Sequence, residues 1–239
     1  NTAVGHQSQY GITTGQYNTS LGYHTLTAQT TGNFNTAIGA EALKLTTSGG
    51  GNTAVGIDAL TAKTTGHSNV AIGANALLTS TTRLGNTAVG FNAAKVTDTT
   101  GIVAVGYKAM EANTTGYDAV AVGASSLLAN TTGHSNTAVG FSALAANTTG
   151  ADNTAVGNSA LLANTTGTRN TVVGVDSSNQ ITSGSDNTAM GFDALTRCTT
   201  GVSNTCIGKD AGDNITNGGY NTCLGIDSGT NITQGSAHV

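Results

Sequence analysis

The stretch GFSALAANTTGADNTAVGNSALLANTTG, residues 140–167, contains nearly the same sequence twice, seventeen residues apart. The repeat reads N-T-A-V-G-x-x-A-L-x-x-x-T-T-G-x-x, and we number its positions as places one to seventeen. Fourteen copies cover residues 1–239, which predicts one repetitive domain. The copies start at Asn1, Asn18, Asn35, Asn52, Asn69, Asn86, Ile102, Ala119, Asn136, Asn153, Asn170, Asn187, Asn204 and Asn221.

A period of seventeen residues is too short for a helical hairpin and too long for one strand. It suits one coil of a β-solenoid, in which short strands alternate with tight turns and equivalent residues stack about 4.8 Å apart. The fifth place is Gly in every copy, which indicates a positive φ or a close neighbouring chain. We therefore predict an all-β fold, a β-solenoid or β-roll of fourteen 17-residue coils, with only the step from Gly90 to Gly106 one residue short.

Composition excludes several classes of partner. The net charge of −4 provides no basic face for nucleic acid, and no apolar run has the roughly 18 residues of a membrane span. Three cysteines do not form a disulfide framework. Because the chain opens on Asn1 and not on Met, we expect a processed product or a piece of a longer protein.

The strand N-T-A-V-G does not alternate apolar and polar residues, so both of its faces are predicted to be buried. We assign the fourth and ninth places to the coil interior and the third place to a contact with another chain. The predicted core includes Val55, Leu60, Val139, Leu144, Val156 and Leu161. The predicted interface includes Ala88, Ala104, Ala121, Ala138 and Ala155.

Two places of the repeat vary together. The ninth place loses Leu at Gln9, Ser178, Gly212 and Gly229, and in each of those copies the twelfth place is Ile. The sixth copy is less regular, since Ala94 at its ninth place is followed by Val96. A core of fixed volume requires such an exchange, so we predict that the ninth and twelfth places share one core site.

The strand motif NTAVG, with its variants NTAIG and NVAIG, resembles the head repeats of YadA-like trimeric autotransporter adhesins. It is also similar to repeats of phage tail fibres and bacterial surface fibres. The resemblance implies a trimeric or laterally associated homo-oligomer or filament located outside the cell, on a cell surface or on a virion. It also implies a structural, non-catalytic role as a spacer or adhesin, with a cell-surface or glycan receptor as a further partner.

Acidic and thiol side chains recur in the last copies. Four aspartates share the seventh place, which suggests either a cation column suited to Ca²⁺ or, as we favour, a solvated face that needs no cofactor. They are Asp176, Asp193, Asp210 and Asp227. Cys206 and Cys223 share the third place in adjacent copies, and we expect two free thiols there rather than a disulfide.

Several surface columns bear on binding. Aromatic residues at the sixth place are candidates for sugar contacts or for contacts between chains: Tyr23, Phe91, Tyr107, Phe141 and Phe192. Thr recurs at the thirteenth place from Thr13 to Thr233, and regular Thr ranks are typical of ice-binding solenoids. A ligand-binding solenoid, for ice or for glycan, is therefore the alternative to a fibre. The first-place Asn column predicts an amide ladder along the stack.

The sequence gives little support to an enzyme. The five histidines fall at variable places and none recurs beside Ser or Cys in a fixed frame. No phosphate-loop lysine follows the glycines. The A-N-T-T-G sequons at Asn113, Asn130, Asn147 and Asn164 follow from the repetition and require no glycan.

Overall fold

The structure, a computed structural model, describes residues 1–237. Within them the chain forms fourteen three-residue β-strands and no helix. The strands are β1 Thr2–Val4, β2 Thr19–Leu21, β3 Thr36–Ile38, β4 Thr53–Val55, β5 Val70–Ile72, β6 Thr87–Val89, β7 Val103–Val105, β8 Val120–Val122, β9 Thr137–Val139, β10 Thr154–Val156, β11 Thr171–Val173, β12 Thr188–Met190, β13 Thr205–Ile207 and β14 Thr222–Leu224.

The chain divides into two compact units, Asn1–Asp118 and Ala119–Val239. In the first unit, β1 to β7 form parallel pairs between consecutive strands of that unit, as Ala37 with Ala54. In the second unit, β8 to β14 do the same, as Ala138 with Ala155. Equivalent places therefore stack in register, and the predicted β-solenoid of 17-residue coils is confirmed.

The fifth-place glycine ends every strand for two reasons. Gly56 has a φ of +136°, which side chains rarely adopt. A Cβ there would also lie 2.6 Å from the carbonyl oxygen of Gly73 in the next coil. The prediction of a positive φ or a close neighbouring backbone is confirmed on both counts.

Left-handed residues at the seventh, ninth and seventeenth places turn the chain around each coil. In the fourth coil they are Asp58, Leu60 and Ser68, with φ between 53° and 59°. A leucine in this conformation is strained, and it is held because its side chain fills the core. Leu60, Leu144 and Leu161 are fully buried, which confirms the ninth-place part of the predicted core.

The two faces of the strand are the reverse of those predicted. Ala88, Ala104, Ala121, Ala138 and Ala155 are all 0% exposed and point into the coil, so they are not an interface between chains. Val55, Val139 and Val156 are half-buried and point outward, so they are not core residues.

Steric opposition across the narrow coil explains this reversal. A Cβ on Gly212, at the ninth place, would lie 2.5 Å from Sγ of Cys206 at the third place. The two places therefore face each other, and a ninth-place Leu leaves room only for a small residue, Ala or Ser, at the third place. In three coils the third place is larger where the ninth place is smaller, as the pairs Val172 with Ser178, Cys206 with Gly212 and Cys223 with Gly229 show, whereas the sixth coil keeps Ala88 beside Ala94.

The twelfth place also points inward. Ile181 and Ile215 are fully buried, and so are Asn130, Asn147 and Asn164 in coils that keep Leu. The predicted exchange between the ninth and twelfth places is thus an exchange within one interior. The third place, which the sequence reasoning assigned to the other face, is its third member.

Candidate functional site

The outward side of the strands is the main candidate surface, and we call it the strand face: the side chains at the second and fourth places. Among its aliphatic members Leu21 is 48% exposed, Ile72 40% and Met190 42%. No second- or fourth-place residue is charged. Exposed apolar patches are where interaction sites are sought, so the strand face is the first candidate for one.

The strand face repeats with a fixed geometry within each unit. Equivalent residues are separated by about 4.8 Å between coils, and the second and fourth places of one strand by about 6.6 Å. In the second unit the second place is Thr in successive coils from Thr137 to Thr222. The face therefore presents a column of hydroxyl and methyl groups beside a column of aliphatic groups.

The sixth-place aromatic residues flank the strand face across the fifth-place glycine. Tyr23, Phe91, Tyr107, Phe141 and Phe192 are between 44% and 57% exposed. The rings of Phe91 and Tyr107 stack with centroids 5.7 Å apart. These residues are thus available for contact, and their role in binding stays a prediction.

The thirteenth-place Thr rank is engaged along the stack. Oγ1 of Thr131 donates to the carbonyl of Thr148 at 3.0 Å, and Oγ1 of Thr148 donates to the carbonyl of Thr165 at 3.0 Å. Hydroxyls that bond the next coil are poorly placed to order a water lattice. The Thr rank that points outward on the strands is the second-place rank, although both faces of the strand were predicted to be buried.

Buried amides form two ladders in the coil interior. At the first place, the backbone N–H of Asn153 donates to Oδ1 of Asn136 at 3.0 Å, and Nδ2 of Asn153 donates to the carbonyl of Gly167 at 2.8 Å. At the twelfth place, Nδ2 of Asn164 donates to Oδ1 of Asn147 at 2.9 Å. The first-place ladder confirms the prediction, whereas the twelfth-place ladder shows that the sequon asparagines are interior.

The seventh-place aspartates do stack on one side of the second unit. Asp193, with Asp210, Asp213 and Arg197, lines a shallow cavity of about 160 Å³. Partial burial raises the pKa of Asp193, with Asp176 and Asp210 adding to the effect. Within residues 1–237 no group of three His, Cys, Asp or Glu side chains is arranged to hold a metal ion. Nothing beyond the aspartate column itself supports a Ca²⁺ site.

The cysteines of the second unit are buried free thiols, as expected. Cys206 and Cys223 are register partners on β13 and β14 and occupy space left by glycine at the ninth place. Burial raises the pKa of both thiols, and it raises the pKa of Cys198 to about 11. Thiols with raised pKa values are poor nucleophiles, so these residues serve packing.

The remaining candidate groups do not converge. His67 accepts a hydrogen bond from the backbone of Gly50, and His6 stacks on Tyr23, while His238 lies outside the described residues. No helix in residues 1–237 is long and apolar enough to cross a membrane. Comparison of the chain with protein-family models, curated proteins and solved structures finds no match.

Proposed function

We propose that this chain is a non-catalytic segment of an extracellular fibre that associates with copies of itself through the strand face. The observation that supports it is the uncharged stripe of exposed aliphatic side chains that runs through the coils of each unit. Water contact with such a stripe is unfavourable by about 25 cal/mol per Å² of apolar surface. The extracellular location rests on the resemblance to adhesin and fibre repeats.

A second copy of the chain is the occupant that fits the strand face best. A partner with the same repeat meets the face coil for coil, because both surfaces have the spacing of about 4.8 Å. The strands of one unit offer about 30 Å by 10 Å, well below the roughly 800 Å² per partner of a stable interface. Residues beside the strand, such as Phe141 and Phe192, must therefore join the contact.

Charge placed on the strand face tests this proposal. We expect the unmutated chain to be oligomeric in light scattering and Val139→Glu with Val156→Glu to dissociate it while the circular dichroism spectrum is kept. The matched control is Thr149→Glu with Thr166→Glu, which adds the same charges to exposed places of the same coils. A monodisperse monomer of the unmutated chain would refute self-association.

Ice binding is the second candidate, and the outward second-place Thr column favours it. Thr154 and Thr171 stand in register beside Val156 and Val173 on a regular sheet. If the face is covered by another chain, the purified protein shows no thermal hysteresis and does not facet ice crystals. Faceting at micromolar concentration, lost in Thr154→Glu with Thr171→Glu, would assign the strand face to ice instead.

A further inference from the structure

Three departures from the repeat meet at one point of the first unit. Lys63 occupies the twelfth place, which is elsewhere amide, hydroxyl, thiol or Ile. Arg83 replaces the fifteenth-place glycine, and Asp98 replaces the thirteenth-place threonine. Arg83 Nε lies 3.9 Å from a carboxylate oxygen of Asp98, while Lys63 lies inside the coil.

The Lys63 amine is buried without a carboxylate beside it. Its side chain is 0% exposed, and Nζ donates to Oγ of Ser80 at 3.3 Å and to the carbonyl of Arg83. No ion pair in residues 1–237 includes it. Desolvation is the main cause that lowers the pKa of Lys63 to about 8. The charge of Asp98 raises this pKa and the charge of Arg83 lowers it. The neutral, nucleophilic amine is therefore accessible near neutral pH.

The carboxamide of Asn69 and the amine of Lys63 both donate hydrogen bonds to the carbonyl oxygen of Arg83. Nδ2 of Asn69 donates to the Arg83 carbonyl at 3.1 Å, the same oxygen to which Lys63 donates. Oδ1 of Asn69 accepts the backbone N–H of Asn86 at 3.1 Å. A fixed backbone donor on a carbonyl oxygen stabilises the negative charge that develops there when a nucleophile adds to the carbon.

We propose that Lys63 and Asn69 join in an intramolecular amide cross-link. Nζ of the neutral lysine adds to Cγ of Asn69, and the N–H of Asn86 stabilises the oxyanion of the tetrahedral intermediate. The Cγ–Nδ2 bond then breaks, and Nδ2 takes a proton from Nζ and leaves as ammonia. The reaction replaces one amide by another, releases one ammonia and needs no oxidant, metal or further reactant.

Burial favours a reaction of the Lys63 amine with a group inside the coil over a reaction with an external molecule. A fully enclosed Lys63 is out of reach of external electrophiles, whereas a partner already fixed in the same interior needs no encounter. Other coils show the same arrangement without a nucleophile. The carbonyl of Gly167, for example, accepts hydrogen bonds from Nδ2 of both Asn153 and Asn164, at 2.8 and 3.1 Å. Only the fourth coil places an amine in this position.

Mass spectrometry of the purified full chain tests the cross-link. We expect an intact mass lower than that of the sequence by one ammonia. After denaturation and trypsin treatment, the fragment of residues 45–83 should remain uncut at Lys63 and contain the whole mass loss. A succinimide at Asn69 would also lose ammonia, but it would leave Lys63 cleavable. The full sequence mass with normal cleavage at Lys63 would overturn the proposal.

Two variants separate the cross-link from other ammonia loss. Lys63→Met should restore the full mass, because it keeps an apolar chain of similar length and removes the nucleophile. Lys44→Met, at a half-buried surface lysine that pairs with Glu41, should leave the loss unchanged. An ammonia loss that persists in Lys63→Met would refute the assignment.

The pH dependence of stability gives a second, independent readout. A free Lys63 amine has a pKa of about 8 when folded and about 10.5 when unfolded. Between these values the unfolded chain binds more protons, so stability would rise with pH across that window. The amide nitrogen of the cross-link does not titrate in this range. The difference in unfolding free energy between the unmutated chain and Lys63→Met should therefore stay constant from pH 8 to 10.5. A difference that rises with pH across that window would show that Lys63 keeps a free amine and would overturn the proposal.

Discussion

Replacing Leu161 by Ser tests whether three places of one coil form a single core site. The side chain is fully buried, and its place in the repeat lies across the coil from that of Ala155, as Gly212 lies across from Cys206. Adding Ala155→Val and Asn164→Ile to the same chain transplants the core of the next coil into this one. That next coil has Val172, Ser178 and Ile181, all fully buried.

The structure sets the size of the expected effects. Leu161→Ser removes a buried aliphatic group and leaves a cavity, which costs about 3–5 kcal/mol of unfolding free energy. In the triple variant the two added aliphatic groups refill that volume. What remains is the loss of the two hydrogen bonds that Nδ2 of Asn164 donates, to Oδ1 of Asn147 at 2.9 Å and to the carbonyl of Gly167 at 3.1 Å, which costs roughly 1–3 kcal/mol. The triple variant should therefore recover about half or more of the loss.

Urea denaturation followed by circular dichroism measures these differences from the shift in midpoint at constant slope. Ala155→Val alone is the control for context. With Leu161 in place, Ala155→Val overpacks the coil and should lower its unfolding free energy by about 1–3 kcal/mol. In the Leu161→Ser background the same substitution should raise the unfolding free energy. A triple variant no more stable than Leu161→Ser would refute a shared core site.

Two further predictions follow from the coil geometry. Gly56→Ala should lower the unfolding free energy by roughly 3 kcal/mol or more, because it combines a positive φ with a contact of 2.6 Å to the Gly73 carbonyl oxygen. The control Gly85→Ala, whose Cβ would meet nothing within 4 Å, should lower it by only about 1 kcal/mol. Equal urea midpoints for the two variants would contradict this reasoning. Secretion from a eukaryotic cell should leave the four buried A-N-T-T-G sequons without glycan, whereas the exposed sequon at Asn231 is open to modification; glycan located by peptide mass spectrometry on any of the four would show that its coil opens: Asn113, Asn130, Asn147 and Asn164.

The repeat alone was sufficient to predict the architecture. A seventeen-residue period with an unvarying glycine defines coil length and register, and the ninth-place leucines follow as the large apolar residue of each coil. The exchange of Leu161 for Ile181 between neighbouring coils is visible in the sequence and is confirmed as an exchange within one interior. These features depend on periodicity and volume, which a sequence contains in full.

The orientation of the strand could not be predicted from hydrophobicity. In T-A-V the valine is the more apolar residue, so a hydrophobic pattern places it inside and Ala outside. The interior is in fact filled by Leu from the ninth place, and space rather than hydrophobicity selects Ala. The signal was the joint change of Val172 with Ser178 and of Cys206 with Gly212, which relates the third place to the ninth.

The polar interior also determines the regularity of the outward face. The backbone N–H of Asn153 bonds Oδ1 of Asn136, and the same contact joins Asn170 to Asn153 at 3.0 Å. A slip of one residue would break every such bond and would turn Ala155 outward and Val156 inward, where Leu161 leaves no space. The amide ladder thus excludes other registers, and the equal spacing of the strand face follows from it. Loss of Asn153 should therefore lower the stability of the coil in urea denaturation, and it should weaken the proposed self-association through that face in light scattering.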